Sequence, residues 1–199
     1  MIVYVESNFV LEIARVQEQA KDAEGLLLLA EEGRVNLVLP SIAATEPFST
    51  WGYRRTDFQR ARPQLEGVVR SLLPAGVDLT IVLDADYVER VLADTLDRLT
   101  HTVLRILRVG AALPLDFEVF RRSTEYRRLG LSKPQDALVF ASIIHDLASR
   151  DATEPKCFVS KDGKDFDQED LKQQLQEFGC VLKPNFVAGL QWVRAQLQE

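Results

Sequence analysis

The chain has 199 residues, 46% of them apolar and 27% charged, and a net charge of -6. That composition supports a sizeable core and excludes a low-complexity polymer. The negative balance excludes a protein that coats nucleic acid over its whole surface, but not one with a local basic face. The opening "MIVYVE" has no basic n-region, and no apolar run approaches membrane-spanning length. Both observations predict a soluble, cytoplasmic protein with no membrane partner.

"IVYV" at 2–5 is β-branched and aromatic, and predicts a buried strand. Residues 9–34 have helical spacing, with a break into two helices expected near Gly25. "VNLVLP" at 35–40 predicts a second strand stopped by proline, after which Ser41 caps "IAATEPF". Residues 51–80 are polar, Arg-rich and partly helical, and a strong amphipathic helix follows from Asp84. "ALPLDFEVFRRSTEYRRLGLS" reads as a turn and another helix. In "GLSKPQDALVFASIIHDL", Ser132 and Gln135 read as a capping box with Pro134 in the first turn. "KCFVS" at 156–160 is a strand, "QEDLKQQLQEFG" a helix ended by Gly179, "CVL" a strand, and "NFVAGLQWVRAQLQ" a terminal helix. Cys157 and Cys180 each border an apolar run and lack metal-ligand spacing, so both are expected as buried thiols.

Apolar strands alternating with helices call for an α/β fold, a central parallel sheet covered on both faces. The helical region from about 50 to 130 interrupts that alternation and reads as an insertion or lid on a single domain. In such folds helix starts gather with strand C-termini at one sheet edge, where ligands bind. Glu6 ends the first strand, Glu46 lies in the second turn after the second strand, and Asp162 and Asp165 follow "KCFVS". Asp136 sits on the same helical stripe as Phe140, Ile143 and Leu147, the stripe expected to face the core.

A buried carboxylate must be compensated by an arginine, by backbone donors at the helix N-terminus or by a cation. Crowded carboxylates favour hard divalent ions, Mg²⁺ or Mn²⁺, which take oxygen ligands and keep waters. Such ions activate water and neutralise charge developing on a phosphodiester. His101 and His145 lie within helices, away from the strand ends, so no Ser–His–Asp arrangement competes, and a zinc site lacks nitrogen and sulfur ligands.

Four stretches resemble the PIN domain, a metal-dependent nuclease fold that includes toxin–antitoxin ribonucleases: "YVESNFVLE", "LPSIAATE", "LPLDFEVFRRSTEYRRLGLSKPQDALVFASII" and "FVSKDGKDF". The likeness covers roughly residues 1–50 and 112–190, and leaves 51–111 as a helical insertion in one domain spanning 1–199. It implies a three-layer α/β/α sandwich and an endoribonuclease that hydrolyses RNA with Mg²⁺ or Mn²⁺. By that likeness Glu6, Asp136 and Asp162 hold the metal, Glu46 holds it or orients the attacking water, and Asp165 completes the acidic pocket. Asn8 and Ser160 position these side chains. The partners implied are RNA, an antitoxin or other protein, and a second copy in a homodimer.

The family opens its first motif with Asp where this chain has Glu6, one C–C bond longer, about 1.5 Å. That departure favours an alternative, a non-catalytic PIN-like module binding RNA or protein. A third reading, a phosphoryl-transfer or phosphohydrolase protein, lacks the paired acids or Gly-rich loop expected after strand one. Arginines concentrate around Arg54 and Arg55, beside Trp51 and Tyr53, and around Arg121 and Arg122. They are either RNA contacts over the acidic centre or solvated helix faces.

Overall fold

A computed structural model describes residues 1–72, 85–161 and 163–198. Asp162, Asp84 and the remainder of the segment 73–84 lie outside the described residues. The described chain is α/β around one parallel sheet of five strands: β1 (Ile2–Val5), β2 (Asn36–Pro40), β3 (Ala111–Leu113), β4 (Lys156–Val159) and β5 (Cys180–Lys183). They are ordered β3-β2-β1-β4-β5, and every pairing is parallel.

All residues of β1 and of β4 are buried. Strand side chains alternate between faces, so burial at every position means helices cover both faces of these strands. The helices are α1 (Ser7–Ala14), α2 (Ala20–Glu31), α3 (Ser41–Leu72), α4 (Ala85–Val109), α5 (Phe117–Arg128), α6 (Pro134–Leu147), the single turn α7 (Gly163–Phe166), α8 (Glu169–Glu177) and α9 (Phe186–Gln196). One packed group joins α1, α2, α4 and α9, with Phe9 edge-on to Phe186 at 5.6 Å. A second joins α5 and α6, with Tyr126 edge-on to Phe140 at 4.9 Å and its hydroxyl donating to Gln174 of α8. Leu99, Val103 and Ile106 of α4 are buried in the same core as the strands. Each large apolar side chain buried in this way contributes about 1.5–3 kcal/mol.

Local chemistry explains several boundaries. Asp116 and Asn185 cap α5 and α9, accepting from Val119 N and Ala188 N at 2.8 Å. Gly179, at φ +66°, ends α8 in the left-handed region, as expected from the sequence. Both cysteines are free and buried, also as expected.

Four expectations need correction. The break in residues 9–34 falls at 15–19, where Val16 has φ +50°, and not at Gly25. Gly25 lies inside α2 because a Cβ there would sit 2.9 Å from Leu190 Cδ2 of α9. It is a close-packing glycine and not a breaker. The Ser132–Gln135 capping box does not form: the N-cap position is Lys133, whose side chain makes no capping bond, and Pro134 opens α6. The turn read at "ALPL" contains β3, too short for periodicity to reveal and formed by pairing with β2. Finally, Ser41, expected as a cap, is the first residue of α3, which runs unbroken to Leu72 through Pro47 and Pro63.

Candidate active site

The strand order reverses direction between β1 and β4. From β1 the chain steps outward to β2 and β3, then crosses to β4 and β5 on the other side. In parallel sheets, a crevice opens at such a switch point beyond the strand C-termini. Glu6 follows β1 and Ser160 follows β4, so both stand at this crevice.

Glu6 is 4% exposed. Its Oε2 caps α1, accepting from Asn8 N at 2.8 Å and from the Ser7 hydroxyl at 3.1 Å. Its Oε1 accepts from the Ser160 hydroxyl at 3.1 Å. Burial, which penalises the charged form, pushes this carboxyl up to about 7. The donors from Asn8, Ser7 and Ser160 pull it back down only in part. Asn8, through its backbone N–H, and Ser160, through its hydroxyl, thus both donate to Glu6.

Asp136 lies in the first turn of α6, its side chain 17% exposed, above the buried Phe140, Ile143 and Leu147. The apolar stripe is where the sequence puts it, and Asp136 occupies its top, where the helix reaches the sheet edge. Lys133 compensates the charge: its Nζ is 3.5 Å from Asp136 Oδ2 and in direct contact with Asp165 Oδ2. Asp165 belongs to α7, five residues beyond Ser160, so the segment after β4 carries both the Glu6 partner and the Asp136 neighbour.

Glu46 is half-buried in the second turn of α3, and no hydrogen bond or ion pair from its side chain to another described residue holds it. Among the described residues, no three His, Cys, Asp or Glu side chains form a group able to hold a metal ion. Oxygens of Asp136 and Asp165 converge on one ammonium group, that of Lys133. The Lys133 side chain is 55% exposed.

Two residues of this region carry no signal in the sequence reading. Lys133 counts there only as one cation among many. Glu12 is fully buried, accepts from Lys161 Nζ at 3.0 Å, and is also bonded by Gln19 N. It ties α1 to the residue after Ser160. A Glu at a core-facing position of α1 is the clue that would have marked it.

The arginines divide into engaged and disengaged groups. Arg55 is 3.7 Å from Glu89 and lies over the Trp51 ring at 5.5 Å. Arg121 is forked between Glu118 and Glu125 at 3.0 and 2.7 Å. Arg122 is half-buried, with a buried Nε that lacks a hydrogen-bond partner. Arg54 is exposed, and no ion pair to another described residue engages it. Trp51 is half-buried, its indole N–H donating to Leu92 O at 3.1 Å, whereas Tyr53 is 73% exposed. No helix among the described residues is long and apolar enough to cross a membrane. Comparison with protein-family models, with curated proteins and with solved structures finds no match to this chain.

Proposed function

We propose that this protein is a PIN-like, metal-dependent endoribonuclease with a three-layer α/β/α core. The observation that carries the reading is the gathering of acid-bearing segments at the β1–β4 switch point. There Glu6 is bonded to Ser160, and Asp136 and Asp165 share Lys133. Carboxylates at the C-terminal edge of a parallel sheet suit oxygen-ligated divalent ions.

In this reading Glu6, Asp136 and Asp162 would hold Mg²⁺ or Mn²⁺, and Asp165 would complete the acidic pocket. When bound, the ion supplies a water of lowered pKa and neutralises charge on the phosphodiester. Ser7, Asn8 and Ser160 fix the Glu6 carboxylate so that its orientation costs no reorganisation. Glu46, held by no described partner, would hold the ion or orient the attacking water. Lys133 offsets the repulsion between Asp136 and Asp165, a role that a bound ion would take over. Arg54 and Arg122 are the arginines suited to phosphate contact, because Arg55 and Arg121 are already engaged by acids.

A second reading has its own observation. The carboxylate oxygens of Glu6 are taken by protein donors, and burial raises its pKa to about 7. Those features suit a capping residue in a non-catalytic RNA- or protein-binding module. The test is cleavage of single-stranded RNA by the full chain with Mn²⁺, with chelator, and after Asp136→Asn. The nuclease reading requires cleavage that chelator and Asp136→Asn both abolish while the circular dichroism spectrum is unchanged. Equal cleavage by wild type and variant, or none by either, rejects it.

A further inference from the structure

A cavity of ≈ 220 Å³ lies between α1, α3 and α4, lined by Leu11, Val91, Leu92 and Leu99, the Trp51 ring, Thr50 and Thr95, and Arg15 and Arg54. Its position relates it to the acids. Thr50 and Arg54 follow Glu46 by four and eight residues on α3, about 6 and 12 Å along the axis at 1.5 Å per residue. Leu11 and Arg15 follow Glu6 on α1 and at its C-cap.

Its chemistry is two-sided. The walls are aliphatic and aromatic. The indole N–H is spent on Leu92 O, so Trp51 presents only ring surface to an occupant. Thr95 donates its hydroxyl to Val91 O, leaving that oxygen to accept. The rim carries two guanidinium groups. Some arginines of this chain meet acids, Arg55 with Glu89, Arg62 with Glu66, Arg105 with Glu24 and Glu31, and Arg121 with Glu118 and Glu125, whereas others, such as Arg60, Arg98 and Arg127, have no ion pair to another described residue. Arg15 and Arg54 are exposed and have no ion pair to another described residue.

Two uncompensated guanidinium groups over an apolar slot call for a ring body bearing a multiply charged anion. Guanidinium pairs match phosphate oxygens in geometry and charge. The cavity is smaller than the roughly 300–1,000 Å³ that encloses a drug-sized ligand, so it admits one ring system and not a stacked pair. A base entering it must be unstacked from its neighbours, which selects single-stranded chains. Stacking on Trp51 tolerates any base, because every base has a π-face.

We infer that the α1–α3–α4 cavity is a mononucleotide subsite, taking one unstacked base against Trp51 and its phosphate between Arg15 and Arg54. Nucleotide binding there needs neither metal nor cleavage; its role as a substrate subsite rests on the ribonuclease reading.

The test uses the full chain in chelator, titrated with AMP and UMP and followed by calorimetry and tryptophan fluorescence. Adenosine, inorganic phosphate and 1-naphthoate are the comparison probes. Both nucleotides are expected to bind, with adenosine and phosphate each about tenfold weaker or more. Arg15→Ala and Arg54→Ala are each expected to weaken AMP about tenfold with unchanged circular dichroism, as loss of a charged hydrogen-bond pair does. Thr95→Phe, which fills the slot from a half-buried position of α4, is expected to abolish binding. Failure of both nucleotides to bind overturns the inference, as does binding indifferent to both arginine substitutions. Naphthoate bound as tightly as AMP assigns the cavity to amphipathic carboxylates, and self-association lost in Arg54→Ala assigns it to a second copy. Either result also overturns the inference. Nucleotide binding without Mn²⁺-dependent RNA cleavage removes the ribonuclease reading and leaves the subsite standing; cleavage without nucleotide binding does the reverse.

Discussion

Glu6 is the residue where a charge substitution and a pH change report the same quantity. Its carboxyl is pushed from 4.5 to about 7, mainly by burial. The folded state therefore holds a proton that the unfolded state releases between these values. Stability from this group is fully present below about pH 4.5 and is lost as pH rises through about 7. At 1.36 kcal/mol per unit the full loss is of order 3 kcal/mol, of which about 2 kcal/mol falls between pH 5.5 and 8. Glu6→Gln keeps the shape and the acceptor for Asn8 N, and its amide can donate to Ser160 in place of the lost acceptor. It stays neutral at every pH. Relative to wild type, the Gln variant should thus gain about 2 kcal/mol from pH 5.5 to 8, or about 4–8 °C in melting temperature for a chain of this size. The assay is thermal and urea unfolding in chelator at both pH values, reading only the difference between the two proteins. Parallel pH profiles would refute the argument, because they would mean that the donors around Glu6 fully offset its burial. Saturating Mn²⁺ should then shift the wild-type loss to lower pH if Glu6 is a ligand, since metal and proton compete for the carboxylate.

Other outcomes follow from single contacts. Lys133→Ala removes the ammonium held by Asp136 and Asp165, so Mn²⁺ affinity measured by calorimetry should rise several-fold; a fall would show that Lys133 does not compete with the ion. Lys161→Met leaves Glu12 fully buried without its cation, which should cost about 2–3 kcal/mol in urea unfolding, less than the roughly 3–5 typical of a broken buried pair because Lys161 is a third exposed. An unchanged midpoint would place water beside Glu12. Gly110→Ala sets a Cβ 2.5 Å from Leu37 O of β2, and should destabilise by more than about 2 kcal/mol. Gly52→Ala, with nothing within 4 Å, should instead stabilise α3 by about 0.5–1 kcal/mol; equal effects at both glycines would contradict the packing account.

What was legible locally came from side-chain period and end chemistry. "IVYV" read as a buried strand because every position is apolar, and "KCFV" as a strand, whose Lys156 is buried by sending its ammonium to the carbonyls of Asp151 and Glu154. The Phe140–Ile143–Leu147 stripe, the Gly179 stop and the buried thiols follow from neighbours within a few turns. The helix break and the α6 cap were misplaced because both depend on partners beyond local spacing: Gly25 answers to Leu190, and Lys133 answers to Asp165.

By itself, then, the sequence determined four of the five strands, most helices, the apolar faces and the acids that punctuate them, since these depend on periods of two and 3.6 and on residues at element ends. Only the tertiary structure decided which acids meet. Glu6 and Ser160 are 154 residues apart and touch because β4 pairs with β1 and not with β3. The same pairing sets Lys161 against Glu12, and the packing of α6 beside the β4–α7 segment brings Lys133 to Asp165. Strand order carries no local signature, because a fully apolar parallel strand can hydrogen-bond to any other. It is settled by which arrangement buries the helices' apolar faces and compensates these charges at once.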